Sequence, residues 1–177
     1  VLAVWPRVMD RDLRVVLAGA SVCFAIAAVG GLYVTNRLPF DAYTLLWQSR
    51  QLLYLALYYL VLAVPFFFAG AVVGAALTSL PGKAGRLYAS NLIGSSLGCL
   101  LSMLVPSFVG ASATVVVVAL MGLLAAAVLA SPRARWTLGA AAGALVVATA
   151  AFPSALELNI SPYKGISQAL RPERSVK

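Results

Sequence analysis

The sequence predicts an all-α fold: a polytopic bundle of four to five transmembrane helices, followed by a short extended C-terminal segment. Of the 177 residues, 62% are hydrophobic and 10% are charged, and the mean hydropathy is +0.96. A soluble domain carries about 25% charged residues, and a short soluble chain has too much surface to cover with so few polar groups. Long apolar runs recur along the chain, without the strict alternation of barrel strands. Lipid is therefore expected around the helices, and the lipid bilayer is the first expected partner.

The spans are predicted from apolar runs close to the ~20 residues that cross a bilayer as a helix. Helices satisfy their backbone polar groups internally, which lipid requires. We expect Pro106 to mark the end of the third run, because proline cannot continue a helix ladder. The fifth run is short and rich in Ala and Gly, and whether it spans is left open. The five runs are 15–34, 52–77, 88–109, 112–130 and 137–152.

Two domains are expected: a transmembrane helical domain over 1–152, and a linker with the first strand of a soluble domain over 153–177. In LELNISPYKGISQAL (156–170), apolar and polar residues alternate at period two, as in a half-buried strand. Pro153 stops the preceding helix. The alternative is a polar C-terminal tail. Because the chain begins with Val1, we expect it to be a fragment of a longer protein.

The net charge of +8 comes from 13 basic and five acidic residues. The basic residues lie outside the apolar runs, which favours a role in membrane topology and lipid contact over nucleic-acid binding. With the N-terminal side in the cytoplasm, inner segments hold seven basic residues before the tail and outer loops hold two. The 79–86 turn is then cytoplasmic. Five spans would place the basic tail outside. Either the fifth run does not cross, or the tail belongs to a long domain that translocates regardless of its charge, and the sequence leaves this open.

No residue of this chain is predicted to be catalytic, cofactor-binding or metal-binding, and no cofactor is expected. The middle of each span lacks Lys, Arg, Asp, Glu and His, which argues against a coupled transport site. The chain has no His, and its two cysteines, Cys23 and Cys99, lie within apolar runs. A disulfide framework or metal site is therefore not predicted. Nucleotide-binding and hydrolase motifs are also missing.

Small and polar residues form a stripe on each of the second and third spans. Both stripes contain G-x-x-x-G, which lets helix backbones approach closely in lipid. The stripes indicate helix packing or, alternatively, a polar groove for a ligand. The candidate residues are Gly70 and Gly74 in the second span, and Tyr88, Asn91, Gly94, Ser95, Gly98 and Ser102 in the third.

The short segment between these two spans predicts an antiparallel hairpin, because a short loop makes its helices neighbours. With the turn centred near Lys83, we expect Gly74 to face the Asn91–Gly94 turn. We also expect Gly70 to lie near Gly98.

Three stretches carry a resemblance to a known family: PFFFAGAVVGAAL (65–77), GRLYASNLIGSSLGCL (85–100) and LNISPYKGISQALRPE (158–173). Together they resemble the membrane-embedded bacterial spermidine synthase-like proteins, in which a multi-helix region precedes a polyamine aminopropyltransferase-like domain. The resemblance covers 52–177 and is looser over 1–51. It implies an acidic residue where Asn91 stands, and a neutral amide cannot carry a proton.

The resemblance implies a membrane-spanning region that anchors or scaffolds a transferase domain. Such a domain moves an aminopropyl group from decarboxylated S-adenosylmethionine to putrescine. Its catalytic residues would follow Lys177, so whether the parent protein is an enzyme stays open. The alternative is a transport or channelling module for a polyamine or another small molecule. The implied location is the bacterial inner (plasma) membrane. The implied partners are the downstream soluble domain and possible upstream transmembrane helices, and nucleic acid is not among them.

Overall fold

A computed structural model describes residues 13–38, 40 and 49–151, and within these ranges it contains five α-helices and no strand. A single 3₁₀ turn, Pro81–Lys83, joins the second and third helices. The predicted strand at 156–170, like the whole segment 153–177, lies outside the described residues. The helices are α1 (Leu13–Arg37), α2 (Ser49–Ser79), α3 (Ala84–Val109), α4 (Ala111–Leu129) and α5 (Pro132–Ala151).

The helices confirm the predicted fold class. Four segments, containing α1 to α4, are long and apolar enough to cross a membrane. The shortest of them, α4, has 19 residues and rises about 28 Å, close to the ~30 Å of a hydrocarbon core. The fifth apolar run also forms a helix, α5, which is not one of the four candidate spans within the described residues. These properties are those of an integral membrane protein.

α1 is the central helix of the bundle, because it packs extensively against both α2 and α4. The end of α1 lies beside the first half of α2. A Cβ placed on Gly31 would lie 3.7 Å from Val61 Cγ1, and the rings of Phe40 and Tyr58 are 6.2 Å apart. The two helices therefore run antiparallel.

α4 also runs antiparallel to α1. The Ser21 carbonyl oxygen lies 3.3 Å from a Cβ placed on Gly122. One turn further along α1, Ala25 packs in the core with Ala119 and Leu123, and Ala119 lies almost one turn earlier in α4. α5 covers this cluster from the other side, through partly buried residues that include Leu138, Ala142 and Leu145.

The joint between α3 and α4 differs from the prediction. α3 does not end at Pro106 but continues to Val109, so a single residue, Gly110, connects the two helices. Proline is tolerated here because it lies in the last turn, where its missing N–H costs the helix only one hydrogen bond. The Gly110 N–H donates to the Pro106 carbonyl at 2.9 Å.

Gly110 has φ +81° and ψ 164°, a combination that only glycine adopts readily. We predict that Gly110→Ala lowers the free energy of unfolding by about 1–3 kcal/mol. Denaturation by SDS titration from mild-detergent micelles, followed by circular dichroism, measures the change. The control is Gly98→Ala, a helical glycine with open space around its Cβ position, for which no loss is expected. Equal stability of the Gly110→Ala variant and the parent chain would contradict the prediction.

Candidate functional site

The predicted stripe residues of the third span lie on α3, a helix with no buried residue. Asn91 is half-buried against the described residues, while Tyr88, Gly94, Ser95, Gly98 and Ser102 are exposed. On α2, Gly70 is exposed and Gly74 is half-buried. The α3 stripe therefore faces outward from the described bundle.

The expected approach of Gly70 to Gly98 is wrong, and Gly94 does not make the expected close contact with Gly74. A Cβ placed on Gly70, Gly94 or Gly98 would meet no atom within 4 Å. The short joint keeps α2 and α3 together where they meet, but α2 packs extensively against α1 and only slightly against α3. Whether the α3 stripe packs on another helix or forms a ligand groove stays a prediction.

A close helix approach lies instead between α1 and α4, at Gly122. A Cβ placed there would lie 2.7 Å from Phe24 Cδ1 and 3.3 Å from the Ser21 carbonyl oxygen. Ala119 and Ala126 on the same helix are fully buried, with 0% exposure. Small side chains along α4 thus allow the ring of Phe24 to pack directly on its backbone.

The sequence contains a signal for this α1–α4 seam that the prediction did not use. Ser21-x-x-x-Ala25 on α1 and Gly122-x-x-x-Ala126 on α4 are both small-x-x-x-small patterns, which favour close helix pairing in lipid. They stand in runs rich in Ala and Gly, where such patterns arise often. The buried face of α4 shows which of them is used.

Two serine hydroxyls of α3 in or beside the stripe are satisfied within their own helix. Ser102 Oγ donates to the Cys99 carbonyl at 2.8 Å, and Ser96 Oγ donates to the Leu92 carbonyl at 2.9 Å. Such bonds lower the cost of a hydroxyl in lipid, so these serines do not require a partner helix.

Basic residues gather at one end of the bundle. The antiparallel packing places the start of α1, the α2–α3 joint and the α4–α5 joint at this end, and the end of α1 with the start of α2 at the other. Arg37 and Arg50 lie at the far end. The described residues of the basic end include Arg14, Lys83, Arg86, Arg133 and Arg135. This grouping agrees with the predicted topology, in which these segments share one side of the membrane.

Arg135 is bonded to the end of α4. Its Nε donates to the carbonyls of Ala127 (3.0 Å) and Ala130 (3.2 Å), and its Nη2 donates to that of Val128 (3.4 Å). A cation at this position satisfies carbonyls that have no partner in the last helical turn, and it interacts favourably with the helix dipole.

Lys83 and Arg86 line an open pocket at the start of α3, together with Leu87 and Ser90. Both cations are exposed. Ser90 Oγ donates to the Arg86 carbonyl at 2.9 Å, so its proton is engaged and its oxygen can only accept. The pocket is suited to an anion because two cationic side chains line it.

The described residues contain no group of three or more His, Cys, Asp or Glu side chains that could hold a metal ion. Cys23 and Cys99 are both free thiols. The pocket offers an anion two cationic donors, whereas the Ser90 oxygen can only accept a hydrogen bond and does not favour an anion. These groups supply neither a nucleophile nor a general base.

No family model, curated protein or solved structure matches this chain.

The α1–α4 seam gives a test of packing. We predict that Gly122→Ala destabilises the bundle by about 1–3 kcal/mol, because the new methyl group overlaps the ring of Phe24. In the double variant Phe24→Ala/Gly122→Ala, the added cost of the alanine at Gly122 should disappear, as a double-mutant cycle measures. Gly94→Leu should leave the stability of the isolated chain unchanged. A large loss of stability from Gly94→Leu, with none from Gly122→Ala, would contradict close packing of α1 against α4 at Gly122.

The Arg135 contacts give a second test. Arg135→Gln should lower the free energy of unfolding by about 0.3–1 kcal/mol, since the last carbonyls of α4 lose their cationic donor. Arg133→Gln removes the same charge from the same joint and is the matched control, with no loss expected. Hydrogen exchange at the end of α4 should rise only in the Arg135 variant. Equal behaviour of the two variants would show that the contacts do not stabilise α4.

Proposed function

We propose that this chain is the membrane-spanning region of a spermidine synthase-like protein, and that it anchors or scaffolds an aminopropyltransferase-like domain. The observation that carries the proposal is the order of the three stretches at 65–77, 85–100 and 158–173. The first two of them lie on α2 and α3, on either side of the Pro81–Lys83 turn. Within the proposal, the third stretch connects the membrane-spanning helices to the soluble domain.

The distribution of acidic residues supports anchoring over transport. The five acids stand at positions 10, 12, 41, 157 and 173, all outside the apolar runs. A pathway for a polyamine requires carboxylates or an aromatic cage at depth, because a cation in lipid is costly without such partners. The spans offer the cation no carboxylate of this kind.

The bundle contributes position rather than chemistry to the proposed protein. Aminopropyl transfer would take place in the domain after residue 177, at the level of the bilayer surface. The helices, with α1 packed between α2 and α4, would keep that domain at the membrane of the bacterial cell.

The natural full-length gene product tests the anchoring role. It should sediment with membranes and transfer an aminopropyl group from decarboxylated S-adenosylmethionine to putrescine, as product analysis by mass spectrometry measures. Deleting the whole helical region through residue 152, with any helices upstream of it, should release the transferase into the soluble fraction with its chemistry retained. A reading frame that encodes no such domain after Lys177 would contradict the proposal.

The same gene product tests the transport alternative. Reconstituted in liposomes, it should take up no more labelled putrescine than protein-free vesicles do. Uptake that saturates with putrescine and requires the helical region would favour the alternative.

A further inference from the structure

Two of the cations at the basic end are distinguished by their surroundings. Arg135 is engaged by the carbonyls of α4, and Arg14 also has an interaction partner. Lys83 and Arg86 instead flank one open pocket, three residues apart across the first turn of α3.

The position of the pair is unfavourable for α3 itself. Cations near a helix N-terminus oppose the helix dipole, and the first turn of α3 holds no acidic residue to compensate. An anion bound between the two side chains would remove this repulsion. The two charges therefore do not stabilise α3 by themselves, and a ligand of opposite charge beside them would.

We propose that Lys83 and Arg86 bind the phosphate group of an anionic phospholipid. Arg86 can hold two phosphate oxygens with its planar guanidinium group, and Lys83 adds a compact charge. Leu87 supplies an apolar wall beside them. The pocket lies where the apolar length of α3 begins, which is the level of the headgroups in a bilayer.

The exposed face of α3 identifies a lipid as the source of the phosphate. Ser90, Gly94 and Gly98 follow one another at four-residue spacing below the pocket, and the Cβ positions of both glycines are open. With no buried residue on α3, an acyl chain can lie along this face while the headgroup stays between the cations. A free phosphate ion would use the pocket but gain nothing from the helix.

The predicted topology places the pocket in the cytoplasmic leaflet, where anionic lipids give the surface its negative potential. A basic residue near such a surface strengthens binding about fivefold, so two together should strengthen it about 30-fold. Because the pocket is open, salt should weaken the binding.

The test uses the full 177-residue chain in neutral phosphatidylcholine nanodiscs, with labelled phosphatidylglycerol as the probe. Lys83→Gln/Arg86→Gln should weaken phosphatidylglycerol binding about 30-fold, as measured by equilibrium titration. Lys83→Arg/Arg86→Lys should retain binding. Arg37→Gln/Arg50→Gln removes two charges from the far end and should leave the affinity unchanged. Circular dichroism establishes that all variants keep their helicity.

Three outcomes would overturn the proposal. The first is equal phosphatidylglycerol binding by the chain and its Lys83→Gln/Arg86→Gln variant. The second is an equal loss in the far-end control, which would show a general effect of net charge. The third is displacement of the lipid by millimolar inorganic phosphate, which would show a phosphate site that does not recognise lipid. None of these outcomes bears on aminopropyl transfer, so the lipid-binding proposal and the anchoring role are tested independently.

Discussion

Every polar group that this chain carries into the bilayer must find its hydrogen-bond partner inside the protein, because lipid offers none. The helices meet this requirement one at a time. Thr35 donates to the Gly31 carbonyl, and Thr78 donates to that of Gly74, each within its own helix. A helix whose backbone and hydroxyls are satisfied in this way can face lipid on all sides. Ser96 and Ser102 of α3 are satisfied in the same way, on a helix with no buried residue.

Close approach then decides which helices pair, since apolar side chains meet lipid as readily as they meet each other. The ring of Phe24 rests on the backbone of α4 because Gly122 has no side chain. Nearly two turns further along α1, Gly31 admits Val61 of α2. The glycines of α3 are equally small, but no part of the described chain approaches Gly94 or Gly98. A small residue permits contact and does not by itself create a partner.

The basic residues at one end of the bundle divide into two kinds. Arg135 stabilises the protein by closing the end of α4, whereas Lys83 and Arg86 face outward and oppose the dipole of their own helix. The second kind is suited to contact with the membrane surface. An anchor that held an anionic lipid at the α2–α3 joint would fix its depth and tilt, which would in turn steady a domain carried on the same chain.

The sequence by itself determined the fold class and the helices, because the apolar runs and the bilayer thickness leave few alternatives. All five runs form helices, and each predicted helix boundary lies within about five residues of the observed one, within the usual uncertainty for the ends of α1 to α4. Only the tertiary structure decided which faces meet. The stripe at Asn91 and Gly94 and the seam at Gly122 present similar patterns of small residues, and the difference between them depends on Phe24, a residue nearly one hundred positions away from Gly122 along the chain. A local pattern shows that a helix can be approached, whereas the approaching side chain comes from elsewhere in the chain.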